Sequence, residues 1–252
     1  MSYRLIVIMR VSRFVFYLGL LLYVMVRPVH AVTYLEQIDR LAAINAALLD
    51  FRAVAVPGPR PKDMIELGLE VDPVPRVDNT IGAKSEPVNV PPVAAKVRAN
   101  WSPVSGFRLG VFFIPPVKVQ GIKASMGGIE TEYGFRRDDF VGSLRLFYRQ
   151  GTVTGPFTAP GVEDKFQVQG GGADIRLGWE RKKWTWYGGL GKGKNKTQFV
   201  LAQDGAVIAG ERDYLYGFAG VGWNRGAWTL VAEQHRTAIY LNHVLLGVNY
   251  AF

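Results

Sequence analysis

Ten segments of the sequence alternate apolar with polar residues, and this period of two restricts the fold more than any other feature. In the first segment, single polar or glycine residues separate Ile65, Leu67 and Leu69. Successive side chains of a β-strand point to opposite faces, so each segment predicts a strand with one apolar and one polar face. We count ten such strands, and the pattern alone leaves eight to twelve open. The predicted strands are Ile65–Asp72, Ala95–Trp101, Phe107–Ile114, Ala124–Phe135, Phe140–Arg149, Ala173–Trp179, Trp184–Lys192, Leu215–Trp223, Trp228–His235 and Val244–Phe252.

The connections between these strands are alternately short and long. Short links follow the second, fourth, sixth and eighth strands, whereas the links after the first, fifth and seventh are long. A meander with short turns at one end is typical of an all-β, antiparallel, up-and-down transmembrane β-barrel, predicted here for residues 63–252. An even strand count puts both chain ends on the short-turn, periplasmic side. The short links are Ser102–Gly106, Arg136–Asp139, Glu180–Lys183 and Asn224–Ala227, and the long ones are Pro73–Val93, Gln150–Gly172 and Gly193–Tyr214.

Aromatic residues flank the short links, on the apolar phase of their strands. Indole rings favour the headgroup layer of a bilayer, so this placement predicts one rim of a membrane girdle in contact with outer-membrane lipid. A soluble lipocalin-like barrel is the alternative, but it would crowd several Trp inside one end. The predicted girdle residues are Trp101, Phe135, Phe140, Trp179, Trp184, Trp186, Trp223 and Trp228.

The last strand ends on an aromatic residue. Val244, Leu246, Val248, Tyr250 and Phe252 occupy every second position up to the carboxyl terminus. This segment resembles the C-terminal signal of Gram-negative outer-membrane β-barrel proteins, which the barrel-insertion machinery reads. The resemblance covers the alternating segments in pattern and the last nine residues as a motif. It implies a fold and an outer-membrane location, with Val248, Tyr250 and Phe252 as the insertion signal, and it implies no activity.

Residues 1–31 have the features of a secretory signal peptide. Arg4, Arg10 and Arg13 precede the uncharged run Phe14–Val26, and Val29–Ala31 offers small residues for cleavage. An uncleaved signal anchor is the alternative, although thirteen residues fall short of the ~20 that a spanning helix needs. We therefore expect export through the secretory pathway.

The segment Thr33–Phe51 has its apolar residues near helical spacing, which predicts one amphipathic helix. Pro57, Pro59 and Pro61 follow it, so the helix leads into an extended linker. Residues 32–62 are thus predicted to form a periplasmic helix and a Pro-rich linker. The apolar stripe favours contact with another periplasmic envelope protein. Two alternatives stay open, in which the helix plugs the lumen of its own barrel or packs beneath it.

If the apolar phase faces lipid, the polar phase faces the lumen, where charges of both signs are predicted to pair. Equal spacing from the turn places Glu130 opposite Arg145. Bulky residues such as Phe112 and Tyr187 share this phase with many glycines, which open space beside them. A ten-strand barrel lies between filled eight-strand barrels and wide porins, so we expect no large channel, and a small one stays open. The predicted charge ladder is Glu66, Glu70, Lys96, Arg98, Glu130, Arg145, Asp174 and Arg176.

Composition and motifs argue against nucleic-acid binding and catalysis. The chain has 30 Lys and Arg against 21 Asp and Glu, and part of this positive excess comes from the Arg residues of the predicted signal peptide. The remaining basic residues are dispersed along the chain, so we expect no nucleic-acid partner. The chain has no Cys, which excludes disulfides and thiolate chemistry. Glu130-x-Glu132 and Glu233-x-His235 resemble the arrangement in omptin proteases, but the pairs are predicted to lie roughly 10 Å apart in depth. The run 188–194 resembles a phosphate loop without its helix. We expect no metal, no cofactor and no enzyme, with a surface protease or lipid-modifying enzyme as the weaker reading.

The sequence thus favours a non-catalytic anchor or interaction scaffold that acts through its periplasmic helix and a surface hairpin. The hairpin is predicted within Thr197–Tyr214, where the alternation continues around a turn at Asp204-Gly205 and extends strands seven and eight beyond the bilayer. That this segment is a plain surface loop without a binding role is the open alternative. A narrow, porin-like passive channel for small solutes is the alternative function. Conductance measurements would distinguish the two.

Overall fold

A computed structural model describes residues 54–73, 93–119, 121–157, 161–202, 205–237 and 242–252. The predicted signal peptide and the predicted helix Thr33–Phe51 lie outside these residues. No helix in the described ranges is long and apolar enough to cross a membrane.

The described residues form ten β-strands, as the alternation predicts. The structure continues several strands further than the sequence pattern does, above all between β4 and β8. The strands are β1 (Ile65–Pro73), β2 (Val93–Val104), β3 (Phe107–Val119), β4 (Ile122–Arg137), β5 (Phe140–Gly155), β6 (Asp164–Arg181), β7 (Trp184–Val200), β8 (Val207–Arg225), β9 (Trp228–Thr237) and β10 (Asn242–Ala251).

The sheet is a closed antiparallel barrel in which each strand pairs with its neighbours in the chain and β1 also pairs with β10. The closing register sets Glu66 opposite Ala251, and the Phe252 amide donates a hydrogen bond to the Ile65 carbonyl at 2.9 Å. Closure leaves no unpaired strand edge, which is what a sheet surrounded by hydrocarbon requires. Both ends of the barrel segment lie at the short-turn end, as predicted.

The outward and inward faces of the short-turn half have opposite polarity. Outward side chains are apolar and about half exposed, whereas inward ones are charged or aromatic and buried. A water-soluble barrel has the reverse arrangement, so this is a transmembrane barrel of the outer-membrane type. The exposed apolar residues of this half include Leu67, Leu69, Leu109, Val111, Ile129, Leu144, Leu146, Ile175, Leu177, Leu190, Leu215, Leu230, Val244 and Leu246.

The polarity is inverted at the opposite, distal end. There the inward residues form an apolar cluster, and the outward residues, such as Gln150, Gln169 and Gln198, are polar and exposed. From Trp184 to Val200, β7 rises roughly 40 Å after allowance for tilt, which exceeds an apolar band of ~25 Å. The distal part therefore stands beyond the membrane. Its inner cluster consists of Phe112, Ile114, Ile122, Met126, Val153, Phe157, Phe166, Val168 and Phe199.

This inversion corrects the predicted loop Gln150–Gly172. In the structure β5 continues to Gly155 and β6 begins at Asp164, so most of that segment is strand. The sequence pattern stops early because the outward phase becomes polar where lipid ends, and apolar residues such as Val153 then occupy the inward phase. The predicted extension of strands seven and eight is confirmed, and the turn residue Asp204 lies outside the described residues.

The predicted girdle residues lie near the short turns on the outward phase. Trp101, Phe135, Phe140, Trp184, Trp186 and Trp228 are exposed, and Trp179 and Trp223 are partly exposed. Two pairs of these rings are in contact: the ring centroids of Phe140 and Trp179 are 5.7 Å apart, and those of Trp184 and Trp186 are 6.4 Å apart. Contact of this ring with lipid headgroups stays a prediction.

Candidate functional site

The lumen is the candidate site, because most of the buried charges of the barrel converge there. All eight residues of the predicted charge ladder point inward and are buried. Three further charged residues, Asp72, Arg108 and Glu132, join them. The predicted ladder leaves these three out, although each lies on the polar phase of its strand, and sequence reasoning considered Glu132 only within the omptin-like pattern. We call these eleven side chains the lumen network.

Arg145 is at the centre of the lumen network and is fully buried. Its guanidinium donates to Asp174 Oδ2 at 2.9 and 2.5 Å and to Glu130 Oε2 at 3.2 Å. Arg176 donates to Asp174 Oδ1 at 3.1 Å, so one carboxylate joins two arginines. The register differs from the prediction, since Glu132 and not Glu130 lies directly opposite Arg145. The turn is Asp138-Asp139, which shifts the pairing by two residues, and Arg145 reaches Glu130 diagonally.

The remaining members of the lumen network form similar pairs across β1, β2, β3 and β4. Arg108 lies 3.3 Å from Glu66 and 2.5 Å from Glu132, between the two carboxylates. Arg98 lies 3.4 Å from Glu70 and 3.7 Å from Glu130. A buried charge is tolerated where an opposite charge is close, and removal of one partner is strongly destabilising. Within the described residues, the network therefore holds the lumen side chains in one arrangement.

A second polar group lies beside this network on β7 and β9. The Tyr187 hydroxyl donates to Glu233 Oε2 at 2.5 Å, and His235 Nε2 contacts Glu233 Oε1. Phe218 stacks on the His235 ring at 5.2 Å. By contrast, the carboxylate of Glu132 binds Arg108, so the acidic groups of the omptin-like pattern have different partners. Both the Glu233 and His235 side chains are enclosed, which gives a large substrate no access to them.

The segment Val54–Pro59 crosses the lumen near the short-turn end, and we call it the floor segment. Lumen side chains satisfy its backbone: Glu70 accepts from the Val54 amide at 2.9 Å, Arg98 donates to the Val54 carbonyl at 3.3 Å and Arg176 donates to the Ala55 carbonyl at 3.1 Å. Val54 to Gly58 are buried. This part of the predicted periplasmic linker thus lies inside the barrel.

Glycines make room for the floor segment on four of the five even-numbered strands, β4, β6, β8 and β10. A Cβ added at any of them would press on the segment: on the Gly58 carbonyl, Pro57, the Val56 side chain or the Val54 side chain, in strand order. Sequence reasoning associated Gly178 and Gly222 with space beside bulky neighbours or with bends in the strands, and it missed the segment, because no local pattern links residue 56 to a strand over 160 residues later. The four are Gly134, Gly178, Gly222 and Gly247.

Bulky side chains fill the space above the floor segment. Tyr214, Tyr216 and Phe218 stack along β8 with ring centroids 5.8 and 6.2 Å apart. Inward glycines of β7 face them, and Gly189 and Gly191 contact Phe218 and Tyr216. These contacts agree with the predicted role of glycine beside large rings.

The inward residues of β5 show how the three layers follow one another along the lumen. Val141 contacts the floor segment at Gly58, Arg145 lies in the lumen network and Val153 lies in the distal apolar cluster. At ~3.3 Å per residue and a tilt near 40°, these layers are separated by roughly 10 and 20 Å. The described lumen is thus occupied by backbone, then charge, then apolar side chains.

No protein-family model matches the sequence, and no curated protein matches it. Three solved structures illustrate what the fold is similar to. Ail, the attachment invasion locus protein of Yersinia pestis, is 12% identical, with 76% of this chain and 99% of that chain covered and a TM-score of 0.29. Neisserial surface protein A is 14% identical, with 77% of this chain and 99% of that chain covered and a TM-score of 0.35. The translocator domain of the autotransporter NalP from Neisseria meningitidis is 13% identical, with 86% of this chain and 95% of that chain covered and a TM-score of 0.38. The fold and its orientation here rest on strand register and residue placement.

Proposed function

We propose that the protein is a non-conducting anchor in the Gram-negative outer membrane, which connects the polypeptide preceding Val54 to the barrel. The observation that carries this proposal is the floor segment, whose backbone is hydrogen-bonded to lumen side chains on four strands, β1, β2, β6 and β10. A pore needs a continuous water path, whereas here backbone, paired charges and apolar rings follow one another along the lumen. An occluded barrel of this kind fixes its N-terminal segment in place.

The proposed partner is a periplasmic envelope protein that binds the predicted helix Thr33–Phe51. The helix precedes the floor segment directly in the chain, so a partner bound to it would be tied to the barrel through Val54–Pro59. Its apolar stripe supports this role, because the outward face of the barrel already meets lipid and does not need a helix to cover it.

Conductance decides between the anchor and the passive channel. Refolded full-length protein should give no single-channel steps in a planar bilayer, because charged and apolar layers both block the lumen. Regular steps of a fixed size from folded protein would overturn the anchor and establish the channel. Folding is verified beforehand by the difference in gel mobility between boiled and unboiled samples.

A disulfide tests whether the floor segment occupies the lumen. A Cβ at position 222 would lie 3.6 Å from the Val56 Cβ, within the range of disulfide geometry. Because the chain has no Cys, V56C/G222C should form this single bridge without added catalyst. The control V56C/V207C places its second thiol on the exposed distal part of β8 and should stay reduced. Equal oxidation of both variants would contradict the placement of the segment.

The partner is tested by charging the apolar stripe. Replacing Leu35, Ile38 and Leu41 by Asp should abolish co-purification of a cross-linked periplasmic protein and leave barrel insertion intact. Replacing Glu36 and Asp39 by Ala, on the polar side of the predicted helix, is the matched control and should retain the complex. If both variants retain the cross-linked protein, the helix is not the binding element.

A further inference from the structure

Two concave surfaces adjoin on the outside of the barrel. The first, of about 1050 Å³, lies across β4 to β8 in the distal part. The outward side chains of three central strands line it with amides and a hydroxyl, and we call it the amide groove. Its defining residues are Gln150, Thr152, Gln167, Gln169 and Gln198.

The amide groove is built from two consecutive rows of directly paired residues. In one row Gln150 lies opposite Gln169, and in the next Thr152 lies opposite Gln167, which in turn lies opposite Gln198. Directly opposite residues have Cβ atoms ~5 Å apart, so the side chains form one continuous polar array. Primary amides both donate and accept hydrogen bonds, which matches the hydroxyl groups of a sugar.

The charges at the edge of the amide groove are paired with each other. Lys196 lies 3.6 Å from Glu211, which also contacts Lys194, and Lys192 lies 2.9 Å from Asp213. Acidic partners that close to the lysines reduce the attraction for a phosphate or carboxylate. The groove is therefore better suited to neutral sugar units than to anions.

The second concave surface, of about 790 Å³, lies on the lipid-facing part of β1 to β5, and we call it the apolar groove. Its outward residues are apolar and exposed to the bilayer, so the hydrocarbon chains of a lipid would fill it. The residues that define it are Trp101, Leu109, Val111, Ile129, Leu146 and Tyr148.

The two grooves meet on β4 and β5. Ile129 and Tyr148 are paired at the upper limit of the apolar groove, and the next outward pair, Gly127 with Gln150, belongs to the first surface. The change from apolar to amide lining therefore occurs within one step of two residues, roughly 7 Å along the strand. A free sugar would use only the upper surface.

We propose that this outward face binds a sugar-bearing lipid of the outer leaflet, with an acyl chain in the apolar groove and neutral sugars in the amide groove. The lipid, rather than a soluble glycan, is the ligand because the grooves are continuous at the level where bilayer meets water. The proposal is independent of the anchor function, since none of these side chains belongs to the lumen.

The test measures binding of a glycolipid that carries uncharged hexoses on a diacylglycerol, and of the same diacylglycerol without sugar, to the folded full-length barrel in detergent by native mass spectrometry. The wild-type protein should bind the glycolipid about tenfold more tightly than the diacylglycerol, a difference of about 1.4 kcal/mol. The triple variant Q150A/Q169A/Q198A should lose this preference. The control Q234A removes an exposed, outward amide on β9, outside the amide groove, and should keep it.

Three results would overturn the proposal. Equal affinity of the wild-type protein for both lipids, or an unchanged preference in the triple variant, would show that the amides do not contact sugars. If the free oligosaccharide bound as tightly as the intact glycolipid, the apolar groove would contribute nothing and the ligand would be a soluble glycan. We expect each variant to fold, because every substituted amide is on the surface. A difference in gel mobility between boiled and unboiled samples verifies it.

Discussion

Replacing Arg145 by methionine should destabilise the barrel more than replacing any exposed arginine. The side chain is fully buried, and its guanidinium makes three hydrogen bonds to the Asp174 and Glu130 carboxylates. Methionine has a similar length but no charge. The substitution therefore removes a positive charge and three hydrogen bonds from the buried Asp174 and Glu130 carboxylates. Breaking a buried ion pair in this way costs about 3–5 kcal/mol.

The matched control is Arg136→Met. Arg136 donates to Glu180 at 3.3 and 2.7 Å, so its pair has comparable geometry, but the side chains are 44% and 26% exposed. Exposed pairs contribute up to about 1 kcal/mol. The difference between the two variants therefore isolates the effect of burial.

Urea unfolding of both variants, refolded in the same detergent and followed by tryptophan fluorescence, measures the two costs. With a slope of about 2–3 kcal/mol per molar urea, Arg145→Met should lower the midpoint by about 1–2 M, whereas Arg136→Met should lower it by less than about 0.5 M. Equal shifts would mean that water screens the lumen network as it screens the surface. The reasoning that treats the lumen as closed would then be refuted.

Three further predictions follow from other parts of the barrel. Gly222→Leu should displace the floor segment at a cost of about 1–3 kcal/mol and increase proteolysis near Val56, and unchanged proteolysis would place that segment elsewhere. The Lys194 ammonium donates a hydrogen bond to the Glu211 carboxylate and lowers the pKa of that group. The stabilisation from this contact is therefore fully present above the pKa of Glu211 in the unfolded chain, and it is lost as the pH falls through the lowered pKa of the folded protein. In carbon NMR titrations Lys194→Gln should raise the pKa of Glu211, and an unaltered titration would count against the pair. Deleting Phe252 should reduce assembly into the outer membrane, measured as the heat-modifiable fraction, and wild-type assembly would remove its role as a signal.

The predicted lumen charges illustrate what can be recognised from sequence and what cannot. Strict alternation along a strand predicts Glu130 and Arg145 on the inward phase, and both are buried there. The predicted pairing of the two is wrong by two residues, because register depends on which residues form the turn. Arg108 received no role, although it lies between Glu66 and Glu132. Glu132 lies directly opposite Arg108 on the adjacent strand β4, so its contact depends on the hairpin register. Glu66 lies two strands away on β1 and comes close only because the sheet curves into a barrel.

The sequence by itself predicted about ten strands, the end at which the short turns lie and the phase that faces lipid, since each of these depends on local alternation and on the chemistry of consecutive residues. Only the tertiary structure decided that Val54–Pro59 lies inside the barrel and that the distal strands reverse their polarity. Both depend on contacts between residues far apart in the chain, such as Val56 with Gly222 and Val153 within the distal cluster. The alternation along a strand predicts on which face a side chain lies. The surroundings of that face depend on the residues, distant in sequence, that pack against it.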